Sequence, residues 1–264
     1  MGVRIANTFL DYTPDGANST AVVSGYPLSN LEDLDHPLRT TRLDQVTESY
    51  VVIDLGATKT NLTVHIEGVN FASVKYQEAS AATGTWADLT SELTISQDTM
   101  QGGYRRIDDL TLSSLQYLRI VIPAQTPVDS AAYFEIGSFA ICESITELTA
   151  ETEQNYPFEK ELLDTSITNT FVNGAEEKAS LGSRTPMILI PNFSTAVNQS
   201  FSSSNISELT NLLRSNTSNY LIDFNLGNSW EAYICKRSGN FTGSLSSPNT
   251  GSMNFNIGVL KVNN

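Results

Sequence analysis

Short segments that alternate apolar and polar residues, separated by Gly, Asn, Ser and Pro, dominate the hydrophobic pattern of this chain. The clearest of them covers residues 61–68, where Leu62, Val64 and Ile66 share one face. A period of two is typical of a β-strand with one buried and one exposed face. We therefore expect a half-exposed strand here, with His65 on the opposite face and pointing to solvent.

The same pattern predicts about eight strands in the first half of the chain, which is the number that a jelly-roll sandwich needs. They are expected at residues 3–10, 21–24, 50–56, 61–68, 71–77, 89–95, 117–122 and 133–142. Turn-forming residues at 13–18 separate the first two strands. Residues 26–42 follow neither the strand period nor a full helical period, so we expect an ordered loop with one helical turn.

Strands continue in the second half of the chain, together with one helix. The strands are predicted at residues 165–172, 186–191, 220–226, 230–236 and 252–262. In residues 205–214 the apolar side chains recur at helical spacing behind Asn205, which is a suitable N-cap. The second half is therefore expected to be a β-sandwich with one short helix, and the chain as a whole to be all-β.

An acidic and weakly apolar stretch follows Cys142 and separates these two halves. Such a change of composition is typical of a connection between domains. We therefore predict a domain at residues 1–145, a linker at residues 146–158 and a second domain at residues 159–264.

Charge and cysteine content narrow the classes of function. The net charge is −14 over 264 residues, and no block of Lys or Arg interrupts the acidity, so sequence-specific binding to nucleic acid is not expected. Cys142 and Cys235 both lie in apolar segments and are expected to be buried free thiols. No apolar segment is long enough to cross a membrane. The start of the chain reaches Arg4 without an apolar core, which favours synthesis in a cytoplasm.

Catalytic patterns are absent from the sequence. The two histidines, His36 and His65, have no nucleophile, carboxylate or metal-ligand partner at a diagnostic spacing. The carboxylate pairs Asp33/Asp35 and Asp108/Asp109 are candidates for acid–base chemistry only if folding brings each pair to the right separation. We therefore expect a protein that is not an enzyme and that needs no cofactor.

Two binding sites remain open on the residues alone. The acidic segment at residues 32–35 either faces water or helps to hold Ca²⁺ together with backbone carbonyls. A sugar platform of exposed aromatic and arginine side chains would use Trp86, Tyr104 and Arg105, with Arg106 beside them and Arg39 in the loop before the first long strand.

Residues 26–31, 52–56 and 118–120 resemble discoidin-like domains of the galactose-binding-like, F5/8 type C kind that occur in tailed-bacteriophage virion proteins. The second half is similar in layout to phage tail-tube and distal-tail proteins, in particular at residues 208–214, 220–223 and 253–259. These resemblances imply a galactose-binding-like jelly roll followed by a ring-forming β-sandwich.

The resemblance also implies a function. It implies a structural virion component, a homo-oligomeric ring at the distal tail or tail tip that contacts other tail proteins and joins the tail tube to the tip. Its location would be the virion tail after synthesis in the bacterial host. The alternative is a carbohydrate-binding module that recognises host surface glycans, and a third option is an accessory domain of a polysaccharide-degrading enzyme. The family usually carries a Trp near residues 38–42, and its absence here favours a structural module over glycan binding.

Overall fold

The computed structural model of the chain describes residues 4–34, 39–97, 104–147, 161–162, 167–170, 176–179, 188–196, 219–223, 232–237, 242–247 and 250–259. Within these ranges the chain forms strands and one single-turn 3-10 helix, η1 (Leu28–Leu31), which lies in the loop where one helical turn was predicted. The predicted all-β fold with an N-terminal jelly-roll sandwich is confirmed. The helix predicted at residues 205–214 lies outside the described residues. No helix in the described part of the chain has the length and apolar character needed to cross a membrane.

Twelve strands belong to the first half of the chain. They are β1 (Arg4–Ala6), β2 (Thr13–Pro14), β3 (Thr41–Leu43), β4 (Ser49–Val69), β5 (Ser73–Ala79), β6 (Ala87–Asp88), β7 (Leu93–Thr94), β8 (Ser96–Gln97), β9 (Tyr104–Ile122), β10 (Phe134–Ile136), β11 (Ser138–Cys142) and β12 (Thr146–Glu147). The second half adds β13 (Glu161–Leu162), β14 (Ile167–Thr170), β15 (Glu176–Ala179), β16 (Ile188–Ala196), β17 (Tyr220–Asp223), β18 (Ala232–Arg237), β19 (Thr242–Ser247) and β20 (Thr250–Val259).

The long strands β4 and β9 form the frame of the N-terminal sandwich. They pair antiparallel in two stretches, residues 49–54 against 117–122 and residues 61–69 against 104–111, with register shifts between them. Gly56 lies at this break with φ +71°, a left-handed conformation that glycine adopts without the steric cost of a Cβ. The sequence pattern placed two separate strands where β4 runs, and it missed the first half of β9.

Each stretch belongs to a different layer of the sandwich. The first stretch continues through β5 to β6, and the second continues to β11. The ring centroids of Tyr76 on β5 and Phe139 on β11 are 6.4 Å apart, so the two layers face each other across one core. Leu62, Val64 and Ile66 are buried in that core, as the alternation predicted.

A second sheet joins both ends of the chain. Its strands follow the order β12-β1-β17-β18-β20-β16-β13, with β19 added beside β20. Strand β1 pairs with β17, so that Ile5 lies opposite Ile222, and β17 pairs antiparallel with β18 where strands were predicted at residues 220–226 and 230–236. The first strand of the chain therefore pairs with a strand of the second half. The division into two domains remains a prediction, since most of residues 146–158 lies outside the described ranges.

The expectation that His65 points to solvent is wrong. His65 lies on the face opposite the sandwich core, as its position in the alternation requires, but this face packs against β17 and β18 and leaves the side chain 0% exposed. The apolar residues that close this contact are Ala6, Ile107, Ala140, Cys142, Leu221, Ala232 and Ile234. Two polar faces would not pack in this way, so the contact depends on the apolar residues that surround His65.

Cys142 in this contact is a free and buried thiol, as predicted. Burial raises its pKa to about 12, because the thiolate would lose its hydration inside the protein. The side chain of Cys235 lies outside the described residues.

Candidate functional site

The outer face of the sheet formed by β4, β9 and β5 carries a row of large polar side chains. Tyr50, Arg119 and Gln77 alternate with core residues of the same strands and therefore lie on the face away from the core. Arg119 is directly opposite Gln77 in the strand register, and Gln77 is opposite Asp88 of β6. The sheet thus places side chains from four segments of the chain side by side.

Arg119 lies between two aromatic rings on this face. Its guanidinium carbon is 4.5 Å from the centroid of the Trp86 ring and 5.0 Å from that of the Tyr50 ring. Both rings remain partly exposed. Cations are attracted to the faces of Trp and Tyr rings at such distances. We call Tyr50, Trp86 and Arg119 the Arg119 platform.

A chain of side-chain contacts holds the platform in place. Nε of Arg119 donates to Oε1 of Gln77 at 2.8 Å, and Nη2 donates to the same oxygen. Nε2 of Gln77 donates to Oδ1 of Asp88 at 2.6 Å, and Nζ of Lys75 lies 3.0 Å from that oxygen. These hydrogen bonds lower the pKa of Asp88, with Gln77 making the largest contribution. The guanidinium is therefore fixed in orientation before any ligand arrives.

A second arginine stack lies elsewhere on the sandwich. The guanidinium carbon of Arg42 is 3.9 Å from the Tyr26 ring centroid and 4.5 Å from the Tyr133 ring centroid. Nε of Arg42 donates to Oε2 of Glu135, which lies opposite it across the β3–β10 pair, at 2.7 Å. A carboxylate therefore neutralises Arg42, whereas Arg119 is held by a neutral amide.

The predicted sugar-contact residues do not form one patch. Trp86 belongs to the Arg119 platform, but Tyr104 begins β9 and packs against the sandwich core. Arg105 is 2% exposed, with its guanidinium carbon 4.7 Å from the Tyr233 ring centroid. Arg39 forms an exposed ion pair with Asp33 at 3.0 Å. The expected exposure of Arg105 is wrong, because Arg105 follows Tyr104 in β9 and is covered there by the second half of the chain.

Arg119 and Tyr50 were not among the predicted site residues. Each occupies a position where the alternation along the strand allows an exposed side chain. This alternation is the sequence signal that could have identified them as site residues. Their proximity to Trp86 results from the pairing of strands that are far apart in the sequence, which residue spacing does not show.

The predicted carboxylate pair Asp108/Asp109 points to opposite faces of β9, as adjacent strand residues do. Asp108 accepts a hydrogen bond from Nε of Arg106 at 2.8 Å, and burial raises its pKa to about 6. Asp109 pairs with Nη1 of Arg4 at 2.5 Å and accepts a hydrogen bond from Thr63 at 2.7 Å. The two carboxylates therefore do not share one site.

In the acidic segment at residues 32–35, Asp33 is engaged by Arg39, and Asp35 lies outside the described residues. Within the described ranges no group of three or more His, Cys, Asp or Glu side chains is arranged to hold a metal ion.

No family model and no curated protein matches this chain. Among solved structures it is similar to chitosan-binding module 1 of a Paenibacillus sp. IK-5 chitosanase/glucanase, at 18% identity over 52% of this chain and 96% of that one, with a TM-score of 0.36. It is similar to CBM32-1 of a Clostridium perfringens family 31 glycoside hydrolase, at 10% identity over 51% and 96%, also with a TM-score of 0.36.

A third module, CBM32-4 of Clostridium perfringens CpGH89 in complex with GlcNAc-α-1,4-galactose, is 17% identical over 54% of this chain and 94% of the module, with a TM-score of 0.34. The protein SpGH29 is 16% identical over 50% of this chain, which spans only 26% of SpGH29, with a TM-score of 0.34. These matches give no support to the predicted phage-tail assignment.

Proposed function

We propose that this protein binds carbohydrate through the Arg119 platform. The observation that carries the proposal is the position of the Arg119 guanidinium, 4.5 Å from the Trp86 ring and 5.0 Å from the Tyr50 ring on an exposed sheet face. Carbohydrate binding was the alternative function predicted from the sequence. Trp86 is retained as a sugar contact. Arg119 and Tyr50 take the place of the other predicted contacts, Tyr104, Arg105 and Arg39.

The chemistry of the platform suits a sugar ring. The face of an aromatic ring is electron-rich and attracts the weakly positive C–H groups on one side of a pyranose, while the same contact removes apolar surface from water. Binding sites combine such apolar surface with a few precisely placed polar groups. Here Arg119 supplies donors, and the exposed carboxylate of Asp88 supplies acceptors for hydroxyl groups.

Preorganisation of the platform favours binding. A ligand that orders flexible side chains loses part of its binding free energy, whereas Arg119 is already held by Gln77 and lies over the Trp86 and Tyr50 rings. The strands beneath it pair in regular register at this point, which fixes Tyr50 and Arg119 relative to each other, and Trp86 directly precedes β6 of the same sheet.

Binding to a polysaccharide panel by affinity electrophoresis, followed by calorimetry with a positive member, tests this function. We expect the wild-type protein to be retarded by at least one polysaccharide and Trp86→Ala to weaken that binding about tenfold or more, since aromatic anchors carry much of the affinity of such surfaces. Tyr133→Ala is the matched control, because it removes one ring of the Arg42 stack and leaves the platform intact. Unchanged binding by Trp86→Ala, or a loss seen only with Tyr133→Ala, contradicts this site.

The phage-tail ring, its homo-oligomeric assembly and its location in the virion remain predictions from the sequence. We expect them to be decided by mass measurement on purified particles, which gives copy number directly. The proposed carbohydrate binding is independent of that outcome, because a virion protein and an accessory module of an enzyme could both present this face.

A further inference from the structure

Arg119 differs from four other arginines of this chain in the group that holds its guanidinium. Arg4, Arg39, Arg42 and Arg106 each form an ion pair with at least one carboxylate. Arg119 instead donates through Nε and Nη2 to the neutral amide oxygen of Gln77. Its positive charge is therefore not cancelled by a direct contact, in a protein whose net charge is −14.

The acidic groups around Arg119 leave part of the guanidinium available. Asp88 and Glu48 act on it electrostatically, but neither makes a hydrogen bond or ion pair with it in the described part of the chain. Asp88 is already paired with Lys75 and bonded to Gln77. Nη1 of Arg119 has no partner among the described residues, so its two N–H groups are free to donate to a ligand.

The rings define where such a ligand would lie. Trp86 and Tyr50 flank the guanidinium, so a sugar ring packed on either one brings its substituents to the edge of Arg119. An anionic oxygen adds charge–charge attraction to the hydrogen bond that it accepts from a guanidinium, whereas a neutral hydroxyl oxygen supplies the hydrogen bond alone. A carboxylate or sulfate on the sugar therefore gains more from this position than a hydroxyl group does.

Resting on the proposed function, we propose that the ligand of the Arg119 platform is an acidic glycan, whose carboxylate or sulfate group binds Nη1 of Arg119 while a sugar ring packs on Trp86 or Tyr50. Gln77 then acts as a positioning residue: it holds the guanidinium in orientation without neutralising it. A carboxylate in the place of Gln77 would also hold the guanidinium in orientation, but it would neutralise the positive charge, as Glu135 does for Arg42.

Three matched pairs of ligands, each an acidic glycan and its neutral counterpart, test the inference on the intact chain. The pairs are polygalacturonate and its fully methyl-esterified form, κ-carrageenan and its desulfated form, and sialyllactose and lactose. The first and third pairs probe a carboxylate, and the second probes a sulfate. We expect the acidic member of at least one pair to bind about tenfold more tightly than its neutral member, which is the gain typical of one charge-assisted contact.

Variants then assign that preference to one residue. Arg119→Gln is expected to remove most of the preference for the acidic member, and Arg119→Lys to keep part of it, because lysine retains the charge but lacks the planar fork. Arg42→Gln is the matched control and leaves the preference unchanged. Glu48→Gln is expected to strengthen acidic binding about twofold without changing neutral binding, since it removes a repulsive charge at the surface.

The possible results separate this inference from the proposed function. Equal binding of acidic and neutral members, still lost in Trp86→Ala, overturns the acidic ligand and leaves carbohydrate binding in place. Loss of the acidic preference in Arg42→Gln, with Arg119→Gln unaffected, overturns the assignment to Arg119. Failure of every glycan to bind overturns the proposed function, and the inference with it.

Discussion

Nε2 of His65 lies 3.1 Å from the carbonyl oxygen of Ala232, a residue 167 positions later in the sequence. The contact is fully buried, and it lies where the outer face of β4 meets β18. The neutral imidazole donates from Nε2, and Nδ1 has no hydrogen-bond partner in the described part of the protein. Burial first, and the nearby Arg105 second, lower the pKa of His65 to about 3.

This histidine should make the protein less stable in acid. In the unfolded chain His65 has its ordinary pKa near 6.5 and takes up a proton below that pH, whereas the folded state excludes the proton down to about pH 3. The free energy of unfolding therefore falls as pH drops from 6.5 to 3, by up to about 5 kcal/mol from this group. Urea unfolding of the wild type and of His65→Gln at pH 7, 5.5 and 4 measures the effect.

The difference between the two proteins isolates His65 from other titrating groups. Asp108, whose pKa is raised to about 6, acts in the opposite direction, because the folded state binds its proton more tightly between about pH 6 and 4. Since Asp108 is present in both proteins, its contribution cancels. Parallel pH profiles for the wild type and His65→Gln would show that His65 is not buried as a neutral group.

Arg4 should contribute strongly to stability. Its guanidinium bonds the carboxylate of Asp223, whose side chain is 3% exposed, through Nε at 2.7 Å and Nη2 at 2.6 Å. Arg4→Met removes the guanidinium and leaves the buried carboxylate of Asp223 with less favourable interaction to offset its lost hydration. We therefore expect a loss of about 3 kcal/mol in the free energy of unfolding. Arg39→Met removes an ion pair whose arginine is 60% exposed and should cost under about 1 kcal/mol. Similar losses in the two variants would contradict the burial of the Arg4–Asp223 pair.

Phe139 should be among the residues most important for the sandwich core. It is fully buried, and its ring lies 6.0 Å from that of Tyr12 and 6.4 Å from that of Tyr76, on the facing layer. We expect Phe139→Ala to destabilise the protein by about 3–5 kcal/mol, the usual cost of such a cavity. Val128→Ala, at a 44% exposed position, should change stability by less than about 0.5 kcal/mol in the same chemical denaturation.

Cys142 should be unreactive in the folded protein. Its thiol is buried, and its pKa is raised to about 12 by that burial, so the reactive thiolate is scarce at neutral pH. In a Cys235→Ser variant we expect Ellman's reagent at pH 8 to label Cys142 only after urea is added. Rapid labelling without denaturant would mean that the contact between the sandwich and β18 opens readily.

The sequence by itself was sufficient for the class of fold and for much of the local strand structure. Alternation in residues 61–68 correctly assigned Leu62, Val64 and Ile66 to one buried face, because a strand directs successive side chains to opposite sides whatever surrounds it. It also proposed Trp86 as a sugar contact, and the structure places that ring beside Arg119. These properties depend on neighbours within a few positions along the chain.

Only the tertiary structure decided what each face touches. His65 and Arg105 are polar residues that lie on neighbouring strands. Their burial depends on the packing of β17 and β18, which are more than a hundred positions away, against those strands. The Arg119 platform likewise requires the register that sets Arg119 opposite Gln77 and beside Trp86. Period and composition determine which side of a strand a residue occupies, but the long-range pairing of strands determines whether that side meets water, another sheet or a ligand.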